Sequence, residues 1–208
     1  MPDPHPLLRL LLDAADGRFP PVDGRVTVVP ALGRGLECSV AFTGHAVVAT
    51  ELPAADVLAR GPDGFGQSAA PDFLRWLAGP KGWIGVLDAM LATRGTGGSP
   101  KLAERDDVED THRVRYSREI RTDVRVFGDE RGFVTVARGL AGRPELSIEL
   151  EAPGRGLGRA LLADALTLVP EGEPVFAAVS PGNARSLRAF LAAGFTPVGS
   201  EVLLRPAR

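Results

Sequence analysis

Residues 145–169 change period partway along. Leu146, Ile148 and Leu150 alternate with Ser147, Glu149 and Glu151, the two-residue period of a half-buried strand. From Leu157 the apolar positions recur at helical spacing, through Leu161, Leu162, Ala165, Leu166 and Val169. Gly154, Gly156 and Gly158 stand between the two patterns. The stretch therefore predicts a strand, a glycine turn and a helix. Backbone N–H groups in such a turn have no side chains in front of them, and the first turn of the following helix leaves its own N–H groups unpaired. A phosphate group suits that arrangement, and glycine lets it approach the backbone.

Upstream, the apolar spacing predicts a helix over 7–15 that Gly17 ends, then strands over 25–29, 36–42 and 46–49 arranged as a small β-meander. Helices follow over 53–59, 71–77 and 83–93, the last with Trp83, Val86, Leu87, Met90 and Leu91 on one face. Phe65, Phe73, Trp76, Trp83 and Met90 form an aromatic-rich group, read first as core and second as the lining of an acceptor pocket. The run Arg-Gly-Thr-Gly-Gly-Ser-Pro at 94–100 separates an N-terminal β/α segment, 1–98, from a second domain, 99–208. After a charge-dense, solvated stretch at 104–110, the alternation of Val114, Tyr116 and Arg118 predicts a strand. A hairpin over 123–137 turns at 128–131. Beyond the glycine turn come a buried strand at 174–179, a helix opened by Asn183 and closed by Gly194, and a last strand over 196–204 broken at Gly199. The order β-β-β-α-β-α-β is that of an α/β fold.

Composition narrows the use of this scaffold. A chain of 208 residues buries a core without covalent help, and its single cysteine, Cys38, allows neither an internal disulfide nor a cysteine zinc cluster. That suits a reducing compartment, and the cytoplasm is the expected location. Leu7 to Leu12 are interrupted by Arg9 and followed by Asp13, the pattern of an amphipathic helix rather than a leader, and no stretch has the length of a membrane helix. A net charge of −2, with only Lys81 and Lys101 as lysines among 24 basic residues, gives no reason to expect nucleic acid. His45 and His112 stand alone in sequence and read as turn histidines, so no metal is expected.

Spacing excludes two owners of the glycine turn. A dinucleotide fingerprint needs glycine or alanine at its last position, which falls on Arg159 or Leu161 when counted from Gly154 or Gly156. A Walker loop needs lysine and a hydroxyl residue, where Arg159-Ala160 follows Gly158. What fits is G-x-G-x-G ahead of a helix, joined downstream by Asn183, Ser186, Phe190 and the pair Gly194-Phe195. In these residues the chain resembles the GNAT superfamily of acetyl-CoA-dependent N-acetyltransferases, over residues 124–204.

The resemblance implies a GNAT-like mixed central sheet with helices on both faces, extended here by the N-terminal β/α segment. It implies acetyl-CoA, or another acyl-CoA, as co-substrate, with no metal. The pyrophosphate is expected on the N–H groups of Arg155, Gly156, Leu157, Gly158, Arg159 and Ala160. Pantetheine is expected along Ile148 to Leu150, with Asn183, Ser186 and Phe190 beside the cofactor arm; Asn183 reads equally well as an N-cap. Glu149 and Glu151 are candidate general bases on one strand face, and Ser186, Tyr116 or water are candidate donors to the departing thiolate. Two positions depart from the family pattern: Pro153 stands where it has arginine or glutamine, and Phe190 where it usually has tyrosine. The expected activity is acyl transfer to a small-molecule or protein amine. The alternatives are an acyl-CoA-binding module without turnover and another nucleotide-binding α/β domain. Exposed strands in 1–98 suggest a homodimer.

Overall fold

The computed structural model describes residues 3–152, 154 and 156–208. The expectations that fall on Pro153 and Arg155 lie outside the described residues. In chain order the elements are α1 (Pro6–Ala15), β1 (Val26–Val29), β2 (Glu37–Phe42), β3 (His45–Ala49), α2 (Ala54–Leu58), α3 (Pro71–Ala78), β4 (Trp83–Ile84), β5 (Asp88–Arg94), β6 (Ala103–Glu104), α4 (His112–Ile120), β7 (Thr122–Asp129), β8 (Gly132–Arg138), β9 (Pro144–Leu150), α5 (Leu157–Ala165), β10 (Pro174–Val179), α6 (Ala184–Ala192) and β11 (Thr196–Arg205). Two compact units result: Met1–Met90 with Val198–Arg208, and Leu91–Pro197. The glycine-rich run at 94–100 lies inside the second unit.

In the first unit β3 lies between β1, to which it is parallel, and β2, to which it is antiparallel; β2 in turn pairs antiparallel with β11. The expected meander is not formed. β3 is buried along its whole length and needs a partner on each side, whereas β1 is partly exposed and suits an edge. α2 and α3 complete a core of Val48, Val57, Phe73, Leu74, Leu77, Val202 and Leu204. No helix forms over 83–93. Met90, Leu91 and Ala92 are buried in succession, as in a strand covered on both faces, while Trp83, Val86 and Leu87 are exposed. β11 is not broken at Gly199 either. Glycine there lets β11 lie against β2, since a Cβ would sit 2.4 Å from the Ala41 carbonyl oxygen.

The second unit carries a mixed sheet in the order β5-β10-β9-β8-β7-β6, parallel between β10 and β9 and antiparallel from β9 through β6. Residues around Val114 are helical, contrary to the strand expected there. α4 opens at Thr111, whose hydroxyl accepts the Val114 N–H at 3.4 Å, and it buries Val114 and Ser117 against β7 and β8. Val108, Val114, Val126 and Phe133 make a small core on that face. α5 packs against β8 and β9 and against α6. Ile148 and Leu150 face α5, and the odd-numbered residues of β9 face α4, so helices cover both faces of β8 and β9.

α6 is closed at both ends by its own sequence. Asn183 Oδ1 accepts the Ser186 N–H at 3.1 Å, an N-cap. At the other end the Gly194 N–H donates to Leu191 O and the Phe195 N–H to Phe190 O, both at 3.1 Å, with Gly194 at φ 90°. This is a Schellman closure, complete with its apolar contact: the rings of Phe190 and Phe195 meet edge to face, centroids 4.9 Å apart. Gly194→Ala forces a Cβ into the left-handed region and is expected to destabilise the protein by about 1–2 kcal/mol. Gly158→Ala, whose Cβ would find ordinary contacts at 3.5 Å and beyond, is expected to be neutral or stabilising. Urea denaturation of the two variants checks the contrast.

Candidate functional site

β9 and β10 are registered with each other only near the start of β9. Among the described residues they are registered at one Cα pair, Phe176 opposite Glu145. From Leu146 to Leu150, β9 keeps its full ladder with β8 and has no registered partner on the β10 side. The strands thus leave a wedge whose floor is polar backbone, open toward the C-terminal end of β9. Parallel strands offer ligands this kind of crevice beyond their carboxyl ends.

The chain leaves the wedge through the glycine turn and enters α5. Gly156 is the N-cap, at φ 76°, and no side chain caps the helix; its first turn holds no acidic residue. The first N–H groups of α5 therefore lack intrahelical partners and carry the positive end of the helix dipole. The three glycines are not equivalent. Gly156 needs its positive φ. Gly158 is buried between Ile148, Leu150 and Ala189, where a Cβ would be accommodated at 3.5 Å, so it is a packing residue. At Gly154 a Cβ would meet only the movable side chain of Leu157.

The closed end of the wedge is pinned by buried charge. Glu145 lies 2.5 Å from Arg121, the C-cap of α4, and its other oxygen accepts from Arg143 Nε and Nη2 at 3.1 and 3.0 Å. Arg143, fully buried, also lies over the ring of Phe176, 5.0 Å from its centroid. Arg121 reaches Ser117 Oγ at 3.2 Å, and Thr135 and Ser147 hydroxyls are 2.7 Å apart, extending the polar contact along the same face. Burial works against the Glu145 charge, and the two guanidiniums overcome it, holding the carboxyl below its usual range.

The candidate bases separate. Glu149 stays on β9, half-exposed, with Oε2 2.9 Å from Arg113 Nε of α4. The last registered pair of β8 and β9 is Gly132 opposite Leu150; Glu151 lies in the bend beyond β9, exposed, its N–H bonded to Arg131 O at 3.1 Å. Tyr116 sits on α4, half-buried and stacked on His112, centroids 6.2 Å apart. Leu157, Gly158, Arg159 and Ala160 form the first turn of α5, with Arg159 and Ala160 exposed. Asn183, Ser186 and Phe190 serve the closures of α6, and Phe190 is buried in doing so. Sequence reasoning missed Arg113, Arg121, Arg143 and Glu145. The four-residue spacing of Arg113, Ser117 and Arg121 fits one face of a helix and equally one face of a strand, so it did not by itself reveal α4. Among the described residues no group of three metal-ligating side chains gathers, and no helix is long and apolar enough to cross a membrane.

No family model matches the chain, and no curated protein does. Among solved structures, the chain is similar to a crystal structure of a GNAT-family protein from Novosphingobium aromaticivorans DSM 12444 described as an acetyltransferase. That similarity covers 62% of this chain and 69% of that one, at 14% identity and a TM-score of 0.41.

Because the folded-state value of Glu145 is depressed, its contribution to stability is complete above the unfolded value of about 4.3 and is lost as pH falls through the lower folded value. Glu145→Gln removes the carboxylate charge shared by two buried guanidiniums and is expected to cost about 3–5 kcal/mol at neutral pH. Urea midpoints of wild type and variant should converge on acidification; equal midpoints at pH 7 would contradict the assignment.

Proposed function

We propose that the second unit binds an acyl-CoA in the wedge between β9 and β10 and passes its acyl group to an amine. The observation that carries this reading is the parting of two parallel strands directly before an uncapped helix N-terminus. Few ligands suit both parts. The unpaired edge of β9 suits a flexible arm containing amides, and the α5 terminus suits a pyrophosphate. Pantetheine joined to a nucleoside diphosphate has that sequence of groups. The dipole of α5 would add about 0.3–1 kcal/mol to phosphate binding.

With the thioester near the open end of the wedge, Glu149 is the carboxylate on the neighbouring strand face. Acting directly or through one water, it removes a proton from the incoming ammonium; the amine attacks the carbonyl carbon, and the C–S bond breaks as the tetrahedral intermediate collapses. The thiol, with a pKa near ~8.5, leaves tolerably as thiolate, so Ser186, Tyr116 or water suffices to reprotonate it. A second reading, binding without turnover, is favoured by one observation: Phe190 brings no hydroxyl and is committed to the α6 closure.

Calorimetric titration with acetyl-CoA tests the binding step, and release of free thiol over an amine panel separates the two readings. Arg159→Glu places a carboxylate on the first turn of α5. It is expected to leave the fold as stable or more so, by up to about 1 kcal/mol, because acids suit a helix N-terminus. The same change should weaken acetyl-CoA at least about tenfold, roughly 1.4 kcal/mol. Unchanged affinity would remove the pyrophosphate from this helix. Glu149→Gln is expected to lower thiol release by about 100-fold or more with affinity retained.

A further inference from the structure

In the first unit a carboxylate, an imidazole and a hydroxyl stand in hydrogen-bonded series. Asp23 Oδ1 lies 2.8 Å from His45 Nδ1, and His45 Nε2 lies 3.0 Å from Thr27 Oγ1. Asp23 Oδ1 also accepts the Arg25 N–H at 2.9 Å. The bond from His45, and after it the bond from Arg25, hold the Asp23 carboxyl below its usual range. An ionised carboxylate can only accept, so Nδ1 carries a proton; in the tautomer with its single proton there, Nε2 accepts from the Thr27 hydroxyl. His45 is buried, while Thr27 is exposed on β1.

The series is held by backbone. The Gly24 N–H donates to Gly44 O at 2.9 Å, and the Gly64 N–H donates to Gly24 O at 3.0 Å. A Cβ on Gly64 would lie 2.5 Å from Gly44 O and 2.7 Å from His45 Cα, so a third loop closes directly on the histidine backbone. The turns bearing Asp23 and His45 are thereby fixed to each other. Thr27, being β-branched, has few side-chain rotamers. Among the described residues β1 ends the strand order. Arg25 O and Val29 O accept from Ala46 and Thr50 at 3.0 and 3.1 Å, so the odd positions of β1 bond inward. The N–H of Val28, the residue after the hydroxyl, faces the open edge, where it can donate to a developing oxyanion.

We propose that Thr27, His45 and Asp23 form a second chemical site, a nucleophilic hydroxyl with its base and the base's orienting carboxylate, that cleaves small activated esters. Thr27 Oγ1 attacks the acyl carbon as its proton passes to His45 Nε2. The ester C–O bond breaks, and the leaving alkoxide or phenoxide takes that proton. Water, deprotonated by the same nitrogen, then attacks the acyl-threonine and restores the hydroxyl. One ester and one water become one carboxylic acid and one alcohol. Thr27 lies on an exposed strand, so unhindered esters with good leaving groups are the substrate class.

The test uses p-nitrophenyl acetate and the full chain, without acetyl-CoA or amine, so its outcome is independent of the acyl-CoA reading. Wild type should release p-nitrophenolate faster than equimolar free imidazole in the same buffer, and acid-quenched samples should carry one acetyl group mapped to Thr27. Thr27→Val, isosteric and well suited to a strand, should remove the adduct and lower release by about 100-fold or more. Thr27→Ser should retain both, and His45→Gln should lose both while still melting cooperatively. No release above the imidazole control in wild type, or release by Thr27→Val at the wild-type rate, overturns the proposal.

Discussion

Two guanidiniums and one carboxylate, nearly sealed from water, sit where β9 meets β10. Removing these charges from water costs several kcal/mol each, and their mutual attraction repays it only in one geometry. That geometry fixes the strand. Glu145 is both the residue paired with Arg121 and Arg143 and the residue registered opposite Phe176, on whose ring Arg143 rests. A one-residue slip of β9 would turn Glu145 toward the apolar face under α5 and take its carboxylate away from both arginines. The parallel pair is therefore strong at one point. Beyond it, among the described residues, β9 has registered partners on β8 only, and the proposed reading puts the ligand on the edge facing β10.

The glycine turn acquires a different meaning from this geometry. Its length lets the chain leave β9 and start α5 with bare N–H groups, and Gly156 alone supplies a backbone conformation that other residues resist. Gly158 belongs to the packing of helix on sheet. The downstream group Asn183, Ser186, Phe190, Gly194 and Phe195 is likewise tied to the ends of α6 through the Asn183 cap, the Gly194 turn and the Phe190–Phe195 contact. In the proposed reading the chemistry falls on β9 and the first turn of α5, where Arg113 of α4 pairs with Glu149.

Much of this was legible in the sequence. The alternation through Ile148 and Leu150 and the periodic helix after the glycines appear as expected: α5 buries one apolar face and exposes the other, and β9 alternates apolar side chains under α5 with polar ones, of which Glu145 and Ser147 are also buried. α4 was hidden because its inward face is partly polar: Ser117 and Arg121 are buried where hydrophobic residues would have signalled the helix. β5 was mistaken for helix because a strand buried on both faces has no period of its own, and Trp83, Val86 and Leu87 fell at helical spacing without sharing a face with Met90. The ion cluster joins Arg121, Arg143 and Glu145 through tertiary packing, and the Asp23, His45 and Thr27 series joins residues from separate turns and a strand. Neither leaves a local pattern.

The most direct measurement of the central claim is amide hydrogen exchange with and without acetyl-CoA. An acyl-CoA held in the wedge should slow exchange at the N–H groups from Ser147 to Leu150 that face β10 and at those of Leu157, Gly158 and Arg159, with Glu145 and Phe176 already protected in the free protein. Acetyl-CoA that leaves both segments unchanged, or protects only residues of the first unit, would contradict the account.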